Sequence, residues 1–429
     1  MRLLLSTFVV LSVVFTARSQ CLSEDDSISN ITVARDAYVR GAHDFSLRLF
    51  QSLYFGAETE QRNLFFSPHS LWSALTLAYI GAEGVTKEAM AEAMGVTNIT
   101  KAEVVAAFRD ITDKDRPAEG WQPGDPEERP NTLRVANRLY FDRTENIREC
   151  LKELLPGELE LLDFLHASEE ARLSINSWVE TLTADRIQDL IPSGAVDART
   201  RIVLANAAYF KGTWLSKFKP QDTGLELFYS SDKDFTFVNM MSQKGKFNFM
   251  VSEELQAHIL ELPYLGKNVT MYVLLPPFVD GALDHTVQKL TPENFQSAIR
   301  RMYPVEIRLK VPKFRVEENY EMSEKLSELG FENLFNASYS DLSGFSNSAG
   351  LALDAALHKS FLEINEEGAE AAAATALIIN RSGRPKRPRQ FICNHPFMYV
   401  IYDKQTQSML FMGTFEHPNA ASLFLGKKV

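Results

Sequence analysis

EEGAEAAAATALIINRSGRPKRPRQ, from Glu366 to Gln390, is the stretch on which the reading of the whole chain turns. Glu366, Glu367 and Gly368 lead into alanines that run as far as Thr375. The aliphatic Leu377, Ile378 and Ile379 come next, then Arg381-Ser382, then a basic tail with two prolines. Propensity alone makes Ala369–Ala376 a helix. An extended reading fits at least as well. Alternate side chains of a strand share a face, so Ala369, Ala371, Ala373 and Thr375 line one side, with Glu370, Ala372 and Ala374 on the other. Four small residues on one face can enter a packed interior without overpacking it. The segment is strand-capable, and it is tied to an exposed basic peptide.

Outward from this stretch, the chain has 429 residues, enough for a large core, and length alone suggests two or three domains. A net charge of −11 argues against a general binder of nucleic acid or anionic membrane. Any polyanion contact falls to a local patch, for which Arg384, Lys386, Arg387 and Arg389 are the candidates. Arg2 precedes the apolar run Leu3–Phe15, and Ala17-Arg18-Ser19 supplies small residues at cleavage spacing. Residues 1–19 therefore read as a signal peptide, and the remainder as a secreted, extracellular protein. That run is short for a bilayer span, and no later stretch is long and apolar enough for one. Cys21, Cys150 and Cys393 allow one bridge and leave at least one thiol over. Asn-x-Ser/Thr sequons occur at Asn30, Asn98, Asn268, Asn336 and Asn380, the last ending at Ser382 inside the opening stretch.

Hydrophobic period places helices early and strands late. Asp36–Tyr54 and Leu71–Tyr79 read as helices, the second buried on nearly all faces and started by Ser67-Pro68; Gly81 stops it. Thr86–Met94, Ser174–Leu190 and Tyr320–Leu329 read as further helices. Asp113–Asn131, with four prolines, is a surface insertion. Strands are expected at Arg134–Phe141, Arg201–Phe210, Phe228–Met241, Lys246–Val251, His258–Pro263, Val269–Leu275, Glu306–Phe314, Leu351–Glu363, Phe391–Tyr402 and Gln407–Thr414. This is an α+β pattern without internal repeats or a flexible interdomain linker.

Catalytic readings find no support. There is no G-x-S-x-G elbow, no H-E-x-x-H, no G-x-x-x-x-G-K and no G-x-G-x-x-G. The eight histidines do not cluster at metal-ligand spacing, and there is no Cys-x-x-Cys. Glu366-Glu367 beside a glycine is better explained as a solvated face than as an acid–base pair. No cofactor and no metal is implied.

A series of motifs in order resembles the serpin family over essentially everything after the signal peptide. They are Asn63-Leu64-Phe65-Phe66-Ser67-Pro68-His69-Ser70, Leu204–Trp214 (LANAAYFKGTW), Val311-Pro312-Lys313-Phe314, His358–Gly368 (HKSFLEINEEG), Cys393-Asn394-His395-Pro396-Phe397 and Phe411-Met412-Gly413. The resemblance implies one α+β domain over residues 20–429, with three β-sheets and about nine helices, so the length-based count gives way. It also implies that residues 366–390 contain an exposed reactive-centre loop. In inhibitory members a protease cuts this loop and is trapped as an acyl-enzyme, while the cut loop inserts into the main sheet. Glu366, Glu367, Gly368, Ala369, Glu370, Ala371, Ala372, Ala373, Ala374 and Thr375 match the inhibitory hinge. Gly368 lets the backbone swing, and neither bulk nor proline comes after it on the face to be buried.

Two counts of the loop leave the scissile bond at Arg381-Ser382 or at Ser382-Gly383; a guanidinium suits the acidic pocket of a trypsin-like protease and favours the first. Arg384 and Arg387 precede prolines, which impede cleavage. Ser67, Ser70, Asn206 and His358 match a hydrogen-bonded cluster on which sheet opening depends, and Trp214 matches the point where the loop first enters. The basic tail suits an acidic protease surface or a sulfated polysaccharide. Asn98–Arg116 mixes signs, unlike the basic helix of heparin-activated members. The implied protein is a secreted, monomeric suicide inhibitor of a trypsin-like serine protease, in an arthropod-like cascade of innate immunity. A non-inhibitory carrier or chaperone is the alternative, and an enzyme the third.

Overall fold

Ser67-Pro68 sets the helix Pro68–Gly81. Ser67 Oγ accepts the Ser70 N–H, and Pro68 occupies the first turn, where its missing N–H has no partner to lose. All fourteen residues of this helix are buried. It ends at Gly81, after which Ala82 turns to extended backbone (φ −76°, ψ 138°); residue 81 has room only for glycine, because the Phe345 ring lies 1.9 Å from where a β-carbon would stand. Around it pack Ile31–Phe55, capped by Asn30 Oδ1, and Gly84–Ala93 and Lys101–Asp115.

The computed structural model describes residue 22 and residues 30–56, 63–115, 131–367 and 388–418. The expected signal peptide, most of the proline-rich insertion and residues 368–387 lie outside them. Among the described residues there are nine α-helices and fourteen strands, and no helix is long and apolar enough to cross a membrane.

Five strands form one sheet in the order Phe314–Glu321, Ala355–Ile364, Ile202–Gly212, Asn131–Asp142, Leu159–Leu162. At its centre Ala355–Ile364 and Ile202–Gly212 run parallel, in register from Ala355↔Val203 to Leu362↔Phe210. The other nine strands are hydrogen-bonded into a second assembly. Its long strand Phe235–Ser252 serves two sheets: it pairs with Gly224–Tyr229 and Tyr303–Pro312 along most of its length, and with Ala257–Pro263 at its end. The three sheets of the α+β expectation are accommodated in this way.

Ile202–Gly212 is buried on both faces. Val203, Ala205, Ala207 and Tyr209 meet the helix Phe164–Leu182 in one apolar cluster. On the inner face Ile202 and Leu204 join the core under the helices, whereas Ala208 and Phe210 join the core between the sheets. Asn206 stands between the two.

Several boundaries differ from expectation. The helix expected over Ser174–Leu190 begins at Phe164 and ends at Leu182, because Ala184 and Asp185 take left-handed backbone (φ 51° and 57°). Phe228–Met241 and Lys246–Val251 belong mostly to one continuous strand that runs through Gly245, with Phe228 in the strand before it. Glu306–Phe314 is divided after Pro312, and the next strand continues to Glu321, so the helix expected from Tyr320 starts at Ser323. Gly330, at φ 99°, interrupts the turn after that helix, as its position in the sequence suggests. Leu351–Glu363 starts four residues later as a strand. Phe391–Tyr402 is two strands, Arg389–Ile392 and Phe397–Asp403. Asp113–Asp115, expected in the insertion, ends a helix.

Candidate functional site

The central parallel pair brings His358 opposite Asn206, and the antiparallel neighbour brings Asn137 opposite Asn206 on the other side. All three lie on the inner face, against the start of the buried helix. The Ser67 N–H donates to His358 Nε2 at 3.0 Å, so the ring proton sits on Nδ1 and is donated to Asn206 Oδ1. Asn206 Nδ2 donates to Ser70 Oγ at 2.7 Å and to Asn137 Oδ1. Ser70 Oγ donates to Asn137 Oδ1 at 3.1 Å, and Asn137 Nδ2 returns a bond to Ser70 O at 3.2 Å. Ser67 Oγ donates to Leu410 O at 2.7 Å. Burial pushes the His358 pKa from about 6.5 down to about 3, so the ring is neutral, as an acceptor at Nε2 requires. Four of the expected cluster residues are thus joined in one network. Asn137 is a fifth member that sequence reading missed. The signal was there: Leu133, Val135, Leu139 and Phe141 alternate on one face of their strand, and Asn137 is the polar exception in that register.

Trp214 lies elsewhere. Seven residues beyond His358, about 23 Å along the strand, its Nε1 donates to Asn365 O at 2.9 Å. The indole stacks on Tyr264 with centroids 4.3 Å apart. Asn365 Nδ2 donates to Glu363 Oε1, and its Oδ1 accepts the Glu367 N–H at 3.1 Å. Beside it Lys313 Nζ bonds Glu366 Oε2 at 2.9 Å. Burial, the largest single influence, would raise the Glu366 pKa, but the hydrogen bond from Lys313, further hydrogen bonds to the carboxylate and the Lys313 charge together outweigh it, and the carboxyl titrates below its usual range. Lys313 belongs to the Val311–Phe314 motif, and no local spacing links it to Glu366.

Of the hinge, Glu366 and Glu367 are placed, at the end where Ala355–Ile364 stops. Gly368, Ala369, Glu370, Ala371, Ala372, Ala373, Ala374 and Thr375 lie outside the described residues. So do both readings of the reactive bond (Arg381, Ser382, Gly383), Arg384, Lys386, Arg387 and Asn380. The chain is described again from Pro388, and Arg389 enters a strand parallel to Tyr303–Pro312, its guanidinium 5.0 Å from the Phe249 ring centre. Asn30, Asn98, Asn268 and Asn336 are all exposed. Cys150 is disulfide-bonded, and Cys393 is a buried free thiol whose pKa burial raises. Among the described residues no cluster of His, Cys, Asp or Glu could hold a metal ion.

A family model described as serpin (serine protease inhibitor) matches residues 40–418. Human Serpin B4 is 36% identical over 395 residues, covering 87% of this chain and 97% of that protein. Serine protease inhibitor 88Ea of Drosophila melanogaster is 32% identical over 397 residues, covering 88% and 90%. Among solved structures, uncleaved ovalbumin superposes with a TM-score of 0.78 at 29% identity, over 89% of this chain and 100% of its own. Maspin superposes at 0.80 and 28% identity, over 90% and 100%.

Proposed function

Because the chain belongs to the serpin family of serine protease inhibitors, we propose that it is a secreted suicide inhibitor of a trypsin-like serine protease, folded as one domain over residues 20–429. The observation that carries this reading is the direct parallel pairing of Ala355–Ile364 with Ile202–Gly212, with a small-residue segment beginning where the first of these strands ends. An inserted strand would lie between them. The protease's serine oxygen attacks the Arg381 carbonyl carbon, and the Arg381–Ser382 peptide bond breaks. Ser382 departs as an amine with the transferred proton, and an ester to Arg381 remains. Residues 368–375 then enter the sheet before water can cleave the ester. About a dozen new ladder hydrogen bonds at roughly 1 kcal/mol net each give on the order of 10 kcal/mol, comparable with the stability of a domain. Release of such strain by loop insertion is a known switching mode.

Secretion is supported by the apolar Leu3–Phe15 run and by the Cys150 disulfide, since such bonds persist in oxidising compartments. The exposed Asn30, Asn98, Asn268 and Asn336 are proposed to carry glycans. The basic residues Arg384, Lys386, Arg387 and Arg389 are proposed to meet the protease or a sulfated polysaccharide.

Incubation of the mature protein with trypsin, followed by a denaturing gel, tests this reading. A covalent band at the summed mass is expected, and Arg381→Ala should abolish it. Clean loop cleavage with full residual trypsin activity would instead leave a carrier or chaperone. Complex formation unchanged by Arg381→Ala would move the bond to another residue.

A further inference from the structure

The last pair in the ladder that an entering loop has to part is Ala355↔Val203. One residue further on, side chains take over from the backbone. Asp354 Oδ2 accepts the Arg201 N–H at 2.6 Å and the Ile202 N–H at 2.9 Å. The Asp354 N–H donates to Ile202 O at 3.0 Å. Arg201 Nη1 donates to Ala349 O at 3.0 Å and Gly350 O at 3.1 Å, on the Asp354 side of the gap. Its Nε and Nη2 donate to Glu145 Oε1 at 2.8 and 2.6 Å, on the other side. There the Asp142 N–H also meets Arg201 O at 2.9 Å. Arg201 thus ties the base of the strand Ile202–Gly212 to both of its neighbours.

A strand inserted between Ala355–Ile364 and Ile202–Gly212 moves them from about 4.8 to about 9.6 Å apart. Glu145 decides which way Arg201 goes. It is only 6% exposed, and parting it from the guanidinium would leave a buried charge without compensation. Arg201 therefore stays with Glu145 and Asp142. The bonds that break are the five to Asp354, Ala349 and Gly350. Two of them end on a carboxylate, and such charge-assisted bonds are about twice as strong as neutral ones. In the middle of the same gap, His358 and Asn206 share one bond between neutral groups. Eleven strand steps separate Asn365 from Asp354, about 36 Å. Fourteen residues run from Gly368 to Arg381, so the base is reached only when all but about three of them have entered.

We propose that Asp354 and Arg201 are positioning residues for the trapping reaction: they hold the base of the sheet shut until the end of insertion, and their release sets how often the protease is trapped rather than freed. This rests on the inhibitory function proposed for the chain. Attack on Arg381 and entry of the first loop residues at the Trp214 end do not depend on the base. Water can cleave the ester to Arg381 until the base opens, so easier release shifts the outcome towards the covalent complex.

Two labelled forms of the full chain test this. An environment-sensitive dye at Glu367→Cys reports entry of the loop, and one at Asn347→Cys, an exposed position two residues before Ala349, reports release of the base. On mixing with trypsin, the first signal should precede the second. With Asp354→Ala the second should follow about tenfold sooner, with the first unchanged. Asp354→Asn keeps an acceptor oxygen and should fall between, and it carries the test if the alanine variant does not fold. The register pair Val203→Cys and Ala355→Cys, once oxidised, should turn the chain into a substrate that is cut without complex, and reduction should restore the covalent band. Simultaneous signals in the wild type, an unchanged interval in the Asp354 variants, or an oxidised pair that still traps trypsin would each overturn the inference while leaving the inhibitory function standing. A wild type that forms no covalent band removes that function, and the inference with it.

Discussion

Acidification tests the His358 arrangement, and His358→Gln isolates it. The ring is fully buried and burial holds its pKa near 3, whereas in the unfolded chain it titrates at about 6.5. Between these values the unfolded chain binds a proton that the folded chain refuses. The stabilisation is therefore fully present above about pH 6.5 and falls as the pH drops towards 3, by about 1.4 kcal/mol per unit. From pH 6.5 to pH 5 the loss is about 2 kcal/mol. His43, His258 and His395 are also depressed by burial, so the wild-type slope contains more than one group. Glutamine supplies what the neutral ring does: an oxygen to accept from the Ser67 N–H and an amide proton for Asn206 Oδ1. Urea midpoints followed by circular dichroism at pH 7, 6 and 5 should show the variant losing less stability than wild type, the gap reaching about 2 kcal/mol. Parallel curves would refute the reasoning, since they would mean that His358 takes up no proton on unfolding in this range.

The strand end and the buried thiol give two further expected outcomes. Glu366→Gln should lower stability by about 1–2 kcal/mol at pH 7 through loss of the charge-assisted bond to Lys313. Because the carboxyl titrates below its usual range, that difference is present above the ordinary carboxylate pKa and vanishes as the pH falls through the folded value, measurable as converging thermal midpoints. Cys393 should resist iodoacetamide in the native protein at pH 8 and react once urea is added, because burial keeps the thiol protonated; peptide mapping of native protein labelled at Cys393 would contradict this.

Legibility in the sequence tracked the strength of the local signal. The buried helix Pro68–Gly81 declares itself through Ser67-Pro68 and an unbroken apolar run, and the strand Val269–Leu275 has the bounds its apolar run suggests. Failures came where two periods compete or where tertiary pairing overrides a break. Tyr320 and Glu321 look helical together with Met322–Leu329, yet they pair with His358 and Leu357 as strand. Gly245 looks like an interruption, yet its ladder partner Ile307 carries the strand through it. Neither partner is near in sequence, so no window could weigh it.

The site shows the same division, and its two ends explain how the central pair of strands is held. The His358–Asn206 bond is predictable in part from sequence, because each is a polar interruption in a buried alternation: Ile202, Leu204, Ala208 and Phe210 surround Asn206, and Ala356, Leu362 and Ile364 share the face of His358. Polar groups in such positions must find partners, and the nearest are across the ladder. Trp214 to Asn365 O and Lys313 to Glu366 obey no such rule, since each joins elements distant in the chain, at the strand end. Under the proposed mechanism the order of events is set by placement. A strand growing inward from Glu367 meets the Trp214–Asn365 contact first and the His358–Asn206 bond about 23 Å later. The ladder between the strands would open progressively, with the neutral histidine a clasp met well after the first, and the Asp354 carboxylate, which accepts from the Arg201 and Ile202 amides, beyond it. Loss of the outer clasp should therefore ease initial entry of the loop, while loss of the inner one should loosen the sheet without a cut.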